Sequence, residues 1–277
     1  MIVVERSSFQ EVECFRLGYH PFIKPKLCTH SYWVDGLLID TGQNRVKNTF
    51  LSLLESESIE QVYITHHHED HTGNLASILK QKSCPAYASK ACSELMKAPP
   101  PISFAQYFAW GNRPPFSDLI PKEDFIETDQ YRFDIIPTPG HAPDMVVLHE
   151  PKQGWLFSAD LYLNSYISYY LFSESMLEQI QSIKRVLELD FEILFCGHNP
   201  QLKNGKAALA KKLDFLIDFY EQVEFWHGKG YAPKVIFKAM KLKENRTIQL
   251  MSHGWLSKIN MVKSAVRDIE ELEGEGV

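Results

Sequence analysis

The chain has no Cys-x-x-Cys pair, no apolar stretch approaching the length of a membrane span, and no internal repeat or low-complexity tract. Each absence removes a class of protein. The five cysteines, Cys14, Cys28, Cys84, Cys92 and Cys196, are scattered and odd in number. That argues against a disulfide framework and against a cysteine-only zinc site, and it suits a reducing compartment. Without a run of about 20 apolar residues, no bilayer-crossing helix is expected. The start, Met1-Ile2-Val3-Val4-Glu5-Arg6, places charge where a signal peptide needs an apolar core. The expectation is a cytoplasmic protein with no membrane partner. A net charge of −6 gives no general attraction to nucleic acid.

What is present is a chain of 277 residues, 44% hydrophobic and 23% charged, enough for one large domain with a substantial core. Residues 31–41 read as a hairpin turning at Asp35-Gly36, with Leu37–Ile39 a short buried strand. Residues 46–56 are helix-like. Gln61 to Thr65 is a second buried strand, and Leu75, Ile78 and Leu79 have helical spacing. Residues 99–121, rich in proline and aromatics, form an irregular stretch around one short helix. It is either a surface loop with its own small core or a flap over a substrate pocket. Short strands follow at 131–137, 145–149, 155–158 and 193–196, with a helix from Ser173, its cap, to Leu189. Beyond Pro200 the pattern turns helical over 205–227, 231–241 and 247–272, with recurrent lysines, and ends in the acidic run 270–275.

The chemistry concentrates at strand ends. Thr65-His66-His67-His68-Glu69-Asp70-His71 follows the 61–65 strand. His66 and His68, two apart, share a face of extended backbone, and Asp70 and His71 fall where the chain turns. Three further candidates each stand just past a short strand: His141 after Pro137-Thr138-Pro139-Gly140, Asp160 after Leu156–Ala159, and His198 after Leu194–Gly197. A solvated histidine loop would account for the first cluster alone, but not for four strand-to-loop junctions that each carry imidazole or carboxylate. Such donors suit zinc, and also manganese or iron.

Together with Asp40, the set His66-x-His68-x-Asp70-His71, His141, Asp160 and His198 resembles the five-motif signature of the metallo-β-lactamase superfamily, over roughly residues 30–200. The resemblance implies an α/β fold, a four-layer αββα sandwich with its site at one edge of the two sheets. It implies a catalytic domain over 1–202 and a small helical extension over 203–277, with a winged-helix arrangement as one option. Carried over by position, it gives His66, His68 and His141 to one divalent metal ion and Asp70, His71 and His198 to a second. Asp160 would bridge the two, and Asp40 would shape the motif from behind without being a ligand. His67 and Glu69 fall at variable positions and read as solvent-facing or as supports behind the ligands.

The implied activity is hydrolysis by a hydroxide shared between two ions, with Asp70 orienting it. Tyr162 and Tyr166, soon after Asp160, are candidate substrate contacts, set against the plainer reading of an aromatic packing patch. Among family branches, the commonest zinc β-lactamases carry cysteine in place of Asp160. Glyoxalase II enzymes typically show Gly-Gly after the motif, where this chain reads Thr72-Gly73-Asn74. A small ester, thioester or lactone is the favoured substrate. Cleavage of single-stranded RNA, suggested by the lysine-bearing tail, is the alternative, and a metal-binding scaffold without turnover is the third reading. Phe215, Phe219, Phe225, Trp226 and Tyr231 are candidates for packing across the site or against a second subunit of a homodimer.

Overall fold

The computed structural model describes residues 1–25 and 27–275. Period-two alternation in the short strands explains the architecture. In β5 (Gln61–Ile64), Tyr63 faces one hydrophobic cluster while Val62 and Ile64 face another. The same split recurs in β11 (Trp155–Ala159) and β13 (Ile193–Cys196), where Trp155, Phe157, Ile193 and Phe195 point one way and Leu156, Leu194 and Cys196 the other. A strand buried on both faces needs a layer on each side, and the chain supplies four.

Seven strands form the first sheet in sequential order: β1 (Ile2–Phe9), β2 (Val12–Tyr19), β3 (Thr29–Val34), β4 (Leu37–Ile39), β5, β6 (Ala86–Ala88) and β7 (Ile120–Pro121). Pairing is antiparallel up to β4 and parallel from β4 to β7. The second sheet runs β13, β11, β10 (Val146–Glu150), β9 (Arg132–Pro137) and β8 (Phe125–Glu127). The two sheets meet face to face over an aromatic seam in which Phe157 stacks on Phe195 at 4.7 Å and Tyr32 lies 5.3 Å from Phe195. Outside the first sheet lie α1 (Lys47–Leu53), α2 (Glu69–Thr72), α3 (Leu75–Lys82) and α4 (Lys90–Lys97), with Phe50, Ile78 and Met96 among the residues of that cluster. Outside the second lie α6 (Met176–Leu187), α7 (Gly205–His227), α8 (Pro233–Ala239) and α10 (Lys258–Glu275). The result is the αββα sandwich.

The hairpin expected at Asp35-Gly36 is present, with both residues at positive φ (46° and 83°), as a tight hairpin turn demands. The 99–121 stretch contains one short helix, α5 (Phe104–Trp110), started by a Ser103–Gln106 capping box. The cap of α6 is Ser175 rather than Ser173: its hydroxyl accepts from Glu178 N, and α6 begins at Met176. The helix read over 247–272 is in fact two, α9 (Arg246–Met251) and α10. Between them, His253 and Gly254 take positive φ, and a short strand β14 (Leu256–Ser257) pairs with β12 (Tyr170–Leu171).

Among the described residues, the extension after residue 203 has no core of its own. Leu209, Leu216, Val262 and Ala265 lie in one cluster with Leu156, Met176 and Ile183. Asp268 on α10 accepts from Leu177 N and Ser175 Oγ at the start of α6. On α7, Lys212 Nζ donates to Leu161 O at 2.7 Å. Nor is the arrangement winged-helical: among the described residues after 203, the one strand, β14, pairs back with β12 instead of forming a hairpin. Among the described residues, no helix is long and apolar enough to cross a membrane.

Candidate metal centre

β4, β5, β9, β11 and β13 all end at the same edge of the sandwich, and each hands its carboxyl end to one part of the site. Asp40 follows β4, the His66–His71 run follows β5, His141 follows β9, Asp160 follows β11 and His198 follows β13. Hydrogen bonds between the sheets close this edge on both sides. Val146 N donates to Thr65 O at 3.0 Å and His30 N to Gly197 O at 2.6 Å; Tyr32 Oη donates to Cys196 O at 2.6 Å.

All seven expected ligands converge. His66, His68 and His141 form one group of donor atoms, Asp70, His71 and His198 a second, and Asp160 joins His66 and His71 in a third, each group within 4.8 Å. Asp160 spans the two sides: its Oδ2 lies 3.3 Å from both His141 Nε2 and His198 Nε2, and its Oδ1 lies 3.4 Å from His71 Nε2. Asp70 Oδ2 lies 3.3 Å from His198 Nε2. His66 and His71 are wholly buried.

An oxygen stands behind each of four rings. His66 Nδ1 meets Thr65 Oγ1 at 3.1 Å and His71 Nδ1 meets Asp40 Oδ2 at 2.7 Å. His198 Nδ1 meets Cys28 O at 2.8 Å, and His141 Nδ1 meets Glu174 Oε2 at 3.2 Å. For His66, His71 and His198 the Nδ1–H is thereby directed outward, which leaves the Nε2 lone pair for the centre; His141 Nδ1 lies within ion-pair distance of Glu174 but makes no hydrogen bond. His68 presents Nδ1 instead, 3.0 Å from His141 Nε2. Buried His66 Nε2, His71 Nε2 and Asp160 Oδ1 have no hydrogen-bond partner. Orphaned lone pairs of this kind cost free energy unless something electropositive meets them. The donor set therefore fits divalent metal ions.

The electrostatics agree. Burial pushes His66 and His68 well below the usual imidazole range, reinforced by neighbouring imidazoles. Burial opposes charge on His71 and His198 too, but Asp40, Asp160 and Asp70 outweigh it around His71, as Asp160 and Asp70 do around His198, and both rings are raised. For Asp160, burial is overcome by His198 and His71, which hold its carboxyl well below the usual range.

Asp40 stands behind the ligands as expected. At φ 59°, its Oδ1 accepts from Thr65 N at 2.9 Å, and its Oδ2 meets both Thr65 Oγ1 at 2.8 Å and His71 Nδ1 at 2.7 Å. His67 and Glu69 do not face solvent. Asp144 accepts from His67 N at 2.8 Å and pairs with His67 Nδ1 at 2.7 Å. Glu69 is buried, and burial together with Asp70 pushes its carboxyl up to about 7. Asn74, where glyoxalase II enzymes show glycine, is buried and donates to Thr41 O and Gln43 O in the wall behind the motif. Tyr162 and Tyr166 are not at the site. Tyr162 is buried in the outer core with its hydroxyl on Ser165, and Tyr166 is exposed against Phe215. The helix-side core takes the first ring.

A cavity of about 300 Å³ opens beside His68 and His141. Its apolar walls come from Leu95, Pro100, Ile102, Ala142, Phe172 and Trp255, and its floor from Glu69, Gln106 and Arg113. The 99–113 segment is thus part of the cavity wall, fixed by Arg113, whose two terminal nitrogens donate to His67 O and Pro100 O. Sequence reasoning missed Asp144, Glu174 and Arg113. Asp144, three residues past His141, had a positional signal, whereas Glu174 and Arg113 are brought in by the fold alone.

Comparison with known proteins agrees with this geometry. The family model described as the metallo-beta-lactamase superfamily matches residues 29–198. A beta-lactamase-like protein 2 homolog of Drosophila melanogaster is 27% identical over 227 residues, which is 75% of this chain and 70% of that protein. A hydroxyacylglutathione hydrolase of Idiomarina loihiensis is 25% identical over 174 residues, 62% of this chain and 60% of that enzyme. Among solved structures, a metallo-beta-lactamase family protein from Thermus thermophilus superposes with a TM-score of 0.66 at 14% identity, over 97% of this chain and 95% of the other. The matched span covers more than half of the chain and contains every expected ligand and Asp40, and on that ground the chain belongs to the metallo-beta-lactamase superfamily.

Proposed function

We propose that this chain is a hydrolase that works with two divalent metal ions, zinc foremost, on a small ester, thioester or lactone. The observation that carries the reading is the cavity: a bounded, mainly apolar space whose wall includes two of the metal-facing imidazoles, His68 and His141. Support comes also from the complete donor set and from relatives named hydroxyacylglutathione hydrolase at about 25% identity.

His66, His68 and His141 would hold one ion, Asp70, His71 and His198 the other, with Asp160 between them. Two such ions, when bound, lower the pKa of a shared water toward neutrality and polarise the scissile carbonyl. The residues of the chain do the rest. Thr65, Asp40 and the Cys28 carbonyl keep three rings from rotating, so those donors need little reorganisation during reaction. Asp70, with Oδ2 aimed across at His198, can accept and hold the proton of the attacking water. Substrate enters beside His68 and His141, which puts its carbonyl next to the ligands and its remainder in the cavity.

Three of the lysines that motivate RNA cleavage are engaged elsewhere. Lys212 is buried on Leu161 O, Lys206 reaches Leu189 O, and Lys229 lies over the Phe225 and Trp226 rings. A single panel tests the reading: protein loaded with zinc, manganese or iron is offered esters, thioesters, lactones and a single-stranded RNA. Turnover of the first three classes, abolished in Asp160→Ala, is the expected result. Cleavage of RNA alone would replace the reading, and a folded, metal-loaded protein inert toward all four would favour a scaffold.

A further inference from the structure

The cavity beside the ligands has two aromatic walls with no partner. Phe172 is 63% exposed and Trp255 is 42% exposed, yet both line a space that begins at His68 and His141. They come from distant parts of the chain. Phe172 follows β12 and Trp255 precedes β14, and the β12–β14 pairing, extended by Phe172 N donating to Trp255 O at 2.9 Å, sets them side by side. Asn260 holds this corner from below, its side-chain amide donating to Tyr170 O, Gly254 O and Trp255 O. One buried amide whose two N–H groups are shared among three carbonyls makes a fixed corner, not a loose loop. Opposite the two rings stand Ile102 and Pro100 of the segment that Arg113 ties down.

The polar inventory narrows what can enter. Arg113 is the one Lys or Arg side chain lining the cavity among the described residues; both of its terminal nitrogens are taken by backbone carbonyls, and its buried Nε has no partner. Glu69 Oε2, buried without a partner, faces the same floor. An anionic tail would meet the Glu69 carboxyl and a guanidinium already tied to two backbone carbonyls. A neutral apolar tail would cover the two exposed rings. At about 300 Å³, the space holds roughly ten water-sized groups, the bulk of a medium-length chain.

We propose that this cavity is an acyl pocket that selects a neutral, apolar acyl group of about eight carbons, and that Trp255, delivered by the helical extension through the β12–β14 pairing, is its specificity-determining residue. The proposal rests on the ester or thioester reading above and names the substrate class within it. It also assigns a task to the extension: it completes the substrate pocket.

Two measurements together separate this inference from the hydrolase reading. The first is calorimetric binding of unreactive n-alkyl amides, from acetamide to decanamide, to the metal-loaded protein. The second is kcat/KM on acyl thioesters of one small thiol over the same lengths. Affinity and kcat/KM should each rise by about fourfold per added methylene, level off near eight carbons, and fall for longer chains. In Trp255→Ala, the octanoyl-to-acetyl ratio should drop at least tenfold in both series. Trp255→Phe should recover most of it, and Ile102→Trp should move the optimum to shorter chains. Length-dependent binding without turnover would retain the pocket and remove the hydrolase reading. Turnover with a flat length profile would retain the hydrolase and overturn the pocket, as would absent amide binding or an unaltered ratio in a folded Trp255→Ala protein.

Discussion

Gly197 has no side chain because its neighbours leave no room for one. A Cβ there would collide with Asp160 Oδ1 and stand 2.9 Å from His71 Cε1. Its backbone is not in the left-handed region, so the constraint is steric and belongs to the metal centre. Gly197→Ala should therefore push Asp160 off its position between the two donor groups and weaken metal binding by about 10- to 100-fold, the size of effect that supporting residues have on metal sites. Gly228→Ala, whose Cβ meets nothing nearer than 3.4 Å, is the control. Competition against a chelator reads both, and equal metal affinity in the two variants would refute the steric argument. At this scale much of the site was legible in the sequence. Imidazole and carboxylate stood past four short strands, and Asp40 past a fifth. What was not legible is what stands behind the rings: Glu174, Asp144 and the carbonyl of Cys28 reach the site through tertiary contacts, and a backbone oxygen carries no residue signature. Of the two readings of Tyr162, packing is the one the core shows. Proximity in sequence to Asp160 says nothing about the side of the sheet on which a ring emerges.

Among the elements, α7 and α10 are bound to the sandwich by polar groups set deep in apolar contacts. Lys212 is fully buried; burial lowers its ammonium pKa to about 8, against the partly compensating carboxylates of Glu174 and Asp160. The folded-state pKa lies below the unfolded one, so between about pH 8 and 10.5 the unfolded chain holds more protons. Folding stability attributable to this lysine therefore rises through that window by an amount on the order of 3 kcal/mol, and below pH 8 the cost of burying the charge is constant. The wild-type minus Lys212→Met difference in unfolding free energy should grow from pH 8 to 10.5 in urea titrations; a difference independent of pH would contradict the burial. Asp268 closes the first turn of α6 from α10. Asp268→Ala should cost about 1–2 kcal/mol by loss of this cap, measured by the same titrations. A change within 0.3 kcal/mol would place the cap elsewhere. The elements that the sequence pattern did not show have physical reasons too. β1 is mostly exposed, and its turn into β2 uses Gln10 at φ 51° instead of a glycine or asparagine, so neither periodicity nor turn chemistry marked the hairpin. The break between α9 and α10 lies at His253-Gly254 in a stretch whose apolar spacing continues across it.

Over the whole molecule, five strand ends, two sheets stitched together at one edge and a wrapping helical layer meet at one cluster of unpartnered donors. Each ion bound to the folded chain alone should stabilise it by about 4 kcal/mol at a thousandfold excess over its Kd, so two ions should shift Tm by on the order of 20 °C for a chain of this size. Chelation should lower Tm by that amount and restored zinc should recover it, in differential scanning calorimetry. An unchanged Tm would mean that the donors do not need the ions. The central claim, two ions held by two overlapping donor sets, is tested most directly by calorimetric titration of zinc into the metal-free protein and its His141→Ala and His198→Ala variants. The account predicts two zinc ions per wild-type chain, and one strong site lost in each variant while the other persists. A single site in the wild-type chain, or the same residual site in both variants, would contradict it.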